Sequence, residues 1–412
     1  MLSNWAGNVR FRARAVRGPT SLQQLRQVIA ANDQLRVLGT GHSFNAIVDT
    51  PGELISMSRW PARLDIDSVA MVARIGAGMT YADIVVDLDR AGFALANMGS
   101  LPHVNVAGAC STGTHGSGVR NQCLAGAVEG VTLVTADGAK RSIRRGDDEF
   151  DGAVIGLGAL GVVTALDLRM QPSYRMAQTV WDGLGWDTLC ERFDEIMAAA
   201  YSVGIFTSWR QWSQIWVKQR CDDGVPDLSW TGARPADGAR HPMPWLDPSN
   251  CTDQGGLPGP WFERLPHFRA GAAPGTGAEL QSEFLVASVD AVGALRALRA
   301  IADRITPVLQ ASEIRTIAAD DLWMSPAYRR DSVGIHFTWK PDAAAVLAVL
   351  TDVQRALAPF TPRAHWGKLI AGDRGTGAQS FERLGDFARL ASRWDPDGKF
   401  RNDFMRGLGC WA

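Results

Sequence analysis

From residue 91 to residue 119 the chain carries no Asp, Glu, Lys or Arg, and it is crowded with Gly, Ser, Thr and His. Such a run cannot be a spanning helix, because Pro102, two His and repeated Gly interrupt it. A solvated loop of that length would carry charge. The run is therefore expected to be folded inside the protein or against a ligand. Within it stands Gly108-Ala-Cys-Ser-Thr-Gly-Thr-His-Gly-Ser-Gly118. A second small-residue turn, Gly39-Thr-Gly-His-Ser-Phe44, follows a short apolar segment. Small side chains let backbone amides approach an anion and form a nest around it. Two such turns without a Lys point to a diphosphate held by amides and hydroxyls.

The third glycine motif, Gly156-Leu-Gly-Ala-Leu-Gly161, spells GxGxxG, but Val162-Val-Thr-Ala-Leu166 follows it. A dinucleotide fingerprint must open a helix, and this β-branched run reads as a strand, so Rossmann-type NAD binding is rejected. No GxxxxGK[ST], HExxH or GxSxG occurs. His42, His103 and His115 have no acidic or Cys partner at ligand spacing, which argues against zinc, and no metal is expected. His103 and His115 read as hydrogen-bonded structural groups.

Net charge is −1 and no block of five like charges occurs, so neither nucleic acid nor a membrane surface is an expected partner. No apolar signal core precedes the first arginines, and the six Cys form no CxxC pair. Both observations lead to the expectation of a reduced, cytoplasmic protein.

Periodicity predicts helices over 20–31 and 80–91, with Asp83 closing a capping box on Thr80. It predicts strands near 35–39, 54–58, 69–75, 128–135, 140–144 and 161–170, with Asp137-Gly138 as a hairpin turn. Past Pro172 the texture changes. Strands are expected at 203–209, 214–219, 283–287, 308–317, 333–339 and 364–369, and helices at 186–200, 289–304, 342–357 and 381–393. Residues 221–277 are Pro- and Gly-rich and read as a folded insertion to which no role is assigned.

Alternate residues of a strand share a face. Glu313 and Arg315 therefore point one way, His336 and Thr338 share a face, and Trp366 and Lys368 share another. Three strands can present these groups to one surface. The pattern suits a polyhydroxylated ligand, and equally the ordinary solvent face of an antiparallel sheet.

In family order along nearly the whole chain stand Val37-Leu-Gly-Thr-Gly-His-Ser-Phe44, Ser100-Leu-Pro-His103 with the second glycine loop, Ser312-Glu-Ile-Arg315, Gly334-Ile-His-Phe-Thr-Trp339, His365-Trp-Gly-Lys368 and Trp394-Asp-Pro-Asp-Gly-Lys-Phe400. This set resembles the vanillyl-alcohol-oxidase type of FAD flavoprotein, and within it the alditol (xylitol) oxidases.

The resemblance implies an α+β fold: a two-part FAD-binding domain (1–171), a cap domain with an antiparallel sheet covered by helices (172–371), and a segment returning to the FAD domain (372–412). It implies FAD linked covalently to His42. The expected cofactor set is Gly39, Thr40, Gly41, His42, Ser43, Gly99, Ser100, His103, Gly108, Ser111, Gly113, Thr114, His115, Gly116, Gly161 and Val163. Lys368 and Arg315 are implied to polarise the reacting oxygen. Ser100, Glu313, His336 and Thr338 would bind hydroxyls, with Glu313 alternatively the base.

The expected reaction is oxidation of xylitol or sorbitol at C1 with O2 reduced to H2O2, by a monomer. The alternatives are an aldonolactone (gulono- or galactono-1,4-lactone) oxidase or dehydrogenase and a non-catalytic flavin- or sugar-binding protein.

Overall fold

The computed structural model describes residues 2–271, 279–372 and 377–411. Residues 272–277 of the insertion thus lie outside the described residues.

The chain opens with a three-stranded parallel sheet in the order Ala15–Arg17, Glu53–Ser56, Leu35–Leu38. The helix Leu22–Ala30 makes the crossover. Ser21 caps it by accepting from the Gln24 amide, and Leu25 and Ile29 are buried. A five-stranded antiparallel sheet follows, in the order Leu64–Asp67, Val72–Gly76, Val162–Arg169, Val128–Val134, Lys140–Arg144. The Thr80–Asp83 capping box is present on Tyr81–Arg90. The Asp137-Gly138 turn joins its two strands as expected, with Gly138 at φ +78°. The GxGxxG segment is a turn into a buried strand. Gly161 has φ +134°, and a Cβ there would lie 2.3 Å from the Val134 carbonyl oxygen, so only glycine fits.

Past Pro172 a nine-stranded antiparallel sheet dominates. Its long strands run in the order Arg175–Asp182, Ser213–Arg220, Ser202–Thr207, Leu309–Ile317, Ser332–Trp339, Leu280–Ala287. One face packs Ile205, Ile314, Ile335 and Phe337 with residues of Phe193–Ala198, Ala291–Ala300 and Ala343–Leu357. The stretch Ala343–Phe360 is, among the described residues, the one helix long and apolar enough to cross a membrane. Here Val346, Leu350, Val353 and Leu357 are fully buried in the cap core. Helix Leu384–Trp394 sends Phe387, Leu390 and Trp394 into the N-terminal core. Just beyond it, the Leu35 amide donates to the Lys399 carbonyl, and Asn402 donates to the carbonyls of Ala46, Ile47 and Asp49.

Several expected elements are shorter or broken. The strand expected from Val69 begins at Val72, because Asp67 accepts from the Val69 and Ala70 amides and Met71 turns at φ 55°. Arg192, at φ −122°, splits the helix expected over 186–200 into Trp186–Glu191 and Phe193–Ala198. Ile301 likewise ends Ala291–Ala300 before Ala302–Ile305. The expected second glycine loop is partly helical. Val106–Ser111 forms a short helix capped by Asn105, whose side chain accepts from the Gly108 amide. The strand expected over 364–369 is only Arg363–Ala364. Trp366 and Lys368 consequently do not share a face. Trp366 donates to the Met324 carbonyl and packs on Phe381, whereas Lys368 turns towards the cap.

Candidate active site

Between the N-terminal sheets and the polar face of the cap sheet lies a cavity of about 890 Å³, within the range of small-molecule and cofactor sites. Its first wall is made of loops. Gly39, Thr40, Gly41, His42 and Ser43 line it, with Gly99, Ser100, Gly108, Ser111, Thr114, His115, Gly161 and Val163. Gly41 turns the first loop at φ +74°. The turn sets His42 flat against Trp5, with ring centroids 5.2 Å apart and an interplanar angle of 18°. Its Nδ1 lies 3.0 Å from the Thr40 hydroxyl, while Nε2 is buried without a protein partner. Burial, reinforced by Lys368 and His103, pulls its pKa down to about 4. The ring is therefore a neutral imidazole at physiological pH. Arg36 also lines the cavity, but its guanidinium is consumed by the carbonyls of Ile47, Leu157, Gly158 and Phe400.

Three residues expected on this wall are elsewhere. Gly113, at φ +66°, packs against Pro326, and a Cβ on Gly116 would clash with Asn97 and the Met98 carbonyl. Both serve chain packing. His103 is outside the lining, and its Nδ1 is buried without a partner, so the expected structural hydrogen bond at that atom is not made.

The opposite wall is made of strands. Register places Glu283, His336 and Glu313 directly beside one another across three neighbouring strands. Arg315 lies two pairs along, between Gly204 and Gly334. A Cβ on Gly204 would stand 3.2 Å from Glu313 Oε1, and one on Gly334 3.3 Å from Glu283 Oε1. Arg315 donates to Glu283 Oε1 at 2.7 Å, and its Nε lies 3.4 Å from Glu313 Oε2. His115 reaches across from the first wall, Nε2 3.2 Å from Glu283 Oε1, while its Nδ1 meets the Gly116 carbonyl at 2.9 Å. Lys368 donates to Gln281 Oε1, which also lies 3.2 Å from His336 Nε2. The Lys368 ammonium stands 5.0 Å from the centre of the Phe44 ring. Thr338 completes the lining. This face is buried, so the solvent-face alternative is excluded for it.

The two carboxylates are driven apart. Burial pushes Glu283 up, but His115 and Arg315 more than offset it and hold the group well below the usual carboxylate range. Burial raises Glu313, and Arg315 only partly opposes this. Burial draws Lys368 down to about 8, with Arg315 adding to the effect. Burial and Lys368 keep His336 well below its ordinary value.

Sequence reasoning missed several members of the site. Gln281 and Glu283 alternate on their strand, a usable signal. His241, Met243, Trp245, His267 and Phe268 line the cavity from the insertion to which no role was assigned, and no periodicity announces them. Among the described residues no group of three His, Cys, Asp or Glu is placed to hold a metal.

A FAD binding domain model matches residues 13–143, and a D-arabinono-1,4-lactone oxidase model matches residues 280–408. The chain is 46% identical to an alditol oxidase from Streptomyces sp. (strain IKD472), over 99% of this chain and 98% of that protein. It is 26% identical to an L-gulono-1,4-lactone dehydrogenase of Mycobacterium tuberculosis, over 98% of each. Among solved structures, cholesterol oxidase from B. sterolicum superposes with a TM-score of 0.79 at 14% identity, covering 98% of this chain and 96% of that one. A chitooligosaccharide oxidase gives 0.75 at 12% identity, covering 98% and 93%. These two show a shared fold.

Proposed function

The chain belongs to the alditol oxidase family of FAD-dependent oxidoreductases, and on that premise we propose that it oxidises the C1 hydroxyl of xylitol and sorbitol to the aldose, with O2 reduced to H2O2. One observation carries the reading. A sheet face bearing Glu283, Glu313, Arg315 and His336 is buried and lines the same cavity as Lys368 and the His42 loop.

The residues present fit the cofactor. Small residues form the first wall, and a neutral imidazole with an unpartnered buried Nε2 stands on it. That nitrogen is the nucleophile we assign to the covalent flavin bond. The loops around Gly39 and Gly108 would hold the diphosphate, as Arg36 has no donor to spare. When bound, FAD accepts the hydride and passes the electron pair to oxygen.

The side chains divide the remaining work. Arg315 and Lys368 stabilise developing negative charge on the reacting oxygen. Glu313, raised towards neutrality, is the better proton acceptor of the two carboxylates. Glu283 stays ionised and fixes the Arg315 guanidinium. Ser100, His336 and Thr338 take the other hydroxyls. A lactone offers fewer donors to this face and would leave buried groups unpaired, each at a cost of about 1–3 kcal/mol.

We divide the chain at about 172 and 372 into FAD-binding domain, cap and returning segment. The start of the cap sheet at Arg175 and the packing of Leu384–Trp394 in the N-terminal core support this. A monomer working in the cytoplasm is the accompanying reading, to be tested by light scattering and cell fractionation. The function is tested by peroxide release from purified yellow protein across polyols and lactones. Xylitol and sorbitol should lead. Faster flavin reduction by gulono- or galactonolactone would overturn the substrate assignment, and a need for an artificial acceptor the oxidase assignment. A colourless protein would favour a binding role.

A further inference from the structure

Beside the polar wall is a second, small cavity of about 10 Å³, the size that holds one water molecule. Ser100, His267, Glu313 and Arg315 line both cavities and so form the partition between them. Lys218 also lines the small cavity and not the large one; no motif singles it out and the chemistry above leaves it unused. It is 3% exposed, and its Nζ donates to the Leu265 carbonyl. Glu313 Oε1 and Arg315 Nε, both without a hydrogen-bond partner in the protein, belong to the residues bounding this space. Gly204 opens it. A Cβ there would stand 3.2 Å from Glu313 Oε1. On the partition, His267 Nδ1 lies 2.9 Å from the Ser100 hydroxyl and its Nε2 lies 3.6 Å from Glu313 Oε1.

We propose that one water molecule occupies this cavity and that through it Lys218 receives the proton Glu313 takes from the substrate hydroxyl, holds it, and returns it in the oxygen half of the cycle. The proposal rests on the reading of Glu313 as base.

The step balances. The hydroxyl O–H bond breaks and its proton passes to the Glu313 carboxylate, while the C1–H bond leaves as hydride to the flavin, giving the aldehyde. Glu313 passes a proton to the water, and the water passes one to the neutral Lys218 amine. Reduction of O2 to H2O2 consumes the hydride's two electrons and two protons, one carried by the hydride and one returned from Lys218.

The energetics suit the transfer. Burial draws Lys218 down to about 7, Arg315 adds to this, and Glu313 opposes it. Burial raises Glu313 and lowers Lys218, so their affinities for the proton are drawn towards each other. The other titratable groups around Lys218 are His267, held neutral by burial and by Lys218, and the buried thiol of Cys251.

The test uses the flavin-loaded enzyme with Lys218→Met, Gly204→Ala and the double variant. Gly204→Ala fills the cavity without changing a charge. Anaerobic flavin reduction by xylitol should slow by about 10²-fold in each single variant. The double variant should be no slower than the slower single one, because both interrupt one path. Lys218→Met should also remove the step near pH 7 from the rate profile.

Thermal unfolding gives a readout independent of turnover. A lysine with a lowered folded pKa makes the unfolded chain bind more protons above about 7, so wild-type stability gains as pH rises beyond it. Lys218→Met should lose that gain. Wild-type reduction rates in Lys218→Met, or losses that multiply in the double variant, would overturn the relay. Glu313→Gln separates the two readings. If it is slow while Lys218→Met is normal, the base stands and the relay falls; if it reduces at the wild-type rate, the base assignment itself fails.

Discussion

The two walls of the cavity are made in opposite ways. The wall around His42 uses small residues and backbone, on loops continuous in sequence, and its one lining arginine, Arg36, is saturated by carbonyls. The wall around Glu313 packs carboxylates, guanidinium, ammonium and imidazoles onto neighbouring strands, buried and mutually compensated. The first geometry suits a large anion that must be held without being attacked by charge. The second suits a reacting hydroxyl, where charge develops and must be met at fixed distances. On the proposed reading, holding and reacting fall to separate parts of the chain, with Ser100 serving both.

The largest expected effect tests the reacting wall. Lys368→Met or Arg315→Leu should lower xylitol turnover by about 10²–10³-fold, with flavin absorbance unchanged. Near-normal turnover would reduce this wall to scaffolding. On the holding wall, His42→Ala should give FAD that is absent or separates on acid denaturation, whereas wild-type flavin stays with the protein. Flavin released from the denatured wild type would remove the covalent bond and leave binding intact.

A pH effect sharpens the contrast. Lys368 is cationic below about 8 and neutral above it. Flavin reduction should therefore decline as pH rises through about 8 and lose that step in Lys368→Met, measured by anaerobic stopped flow. The smallest effect concerns Gly99, which lines the holding wall. A Cβ there meets Leu124 and Thr114 at 3.9 Å, ordinary contact distance. Gly99→Val should slow flavin reoxidation by oxygen more than reduction by xylitol. Equal slowing would mean that the position governs general packing rather than oxygen access.

The same contrast explains what could be read in advance. The His42 loop was legible because its glycines and polar residues are neighbours in sequence. Even there, Gly113 and Gly116 share the composition of the motif yet answer to Pro326 and to the Met98 carbonyl, contacts that composition does not encode. On the reacting wall, period-two alternation put Glu313 with Arg315 and His336 with Thr338 on shared faces, but only the family resemblance pointed them at a ligand rather than at solvent. Glu283 is the one ionisable residue of Leu280–Ala287, and Lys218 shares Ser213–Arg220 with Arg220 and several polar residues, so neither stands out until the pairing is known. His267 and Trp245 had no signal, because their stretch has no period. Trp366 was misassigned because the strand ends at Ala364 and the chain turns before it.

The closure of the N-terminal sheets by residues near 400 has a consequence for how the chain comes into being. Leu35 and Arg36 find partners in Lys399 and Phe400, and Asn402 satisfies three carbonyls between Ala46 and Asp49. During synthesis those partners emerge after the whole cap, so the N-terminal sheets wait for them to be completed. The cap sheet closes on itself earlier, its six long strands all lying between Arg175 and Trp339. On the ribosome the order of maturation should therefore run against the order of sequence for these two parts, with the cap settling before the N-terminal sheets are closed.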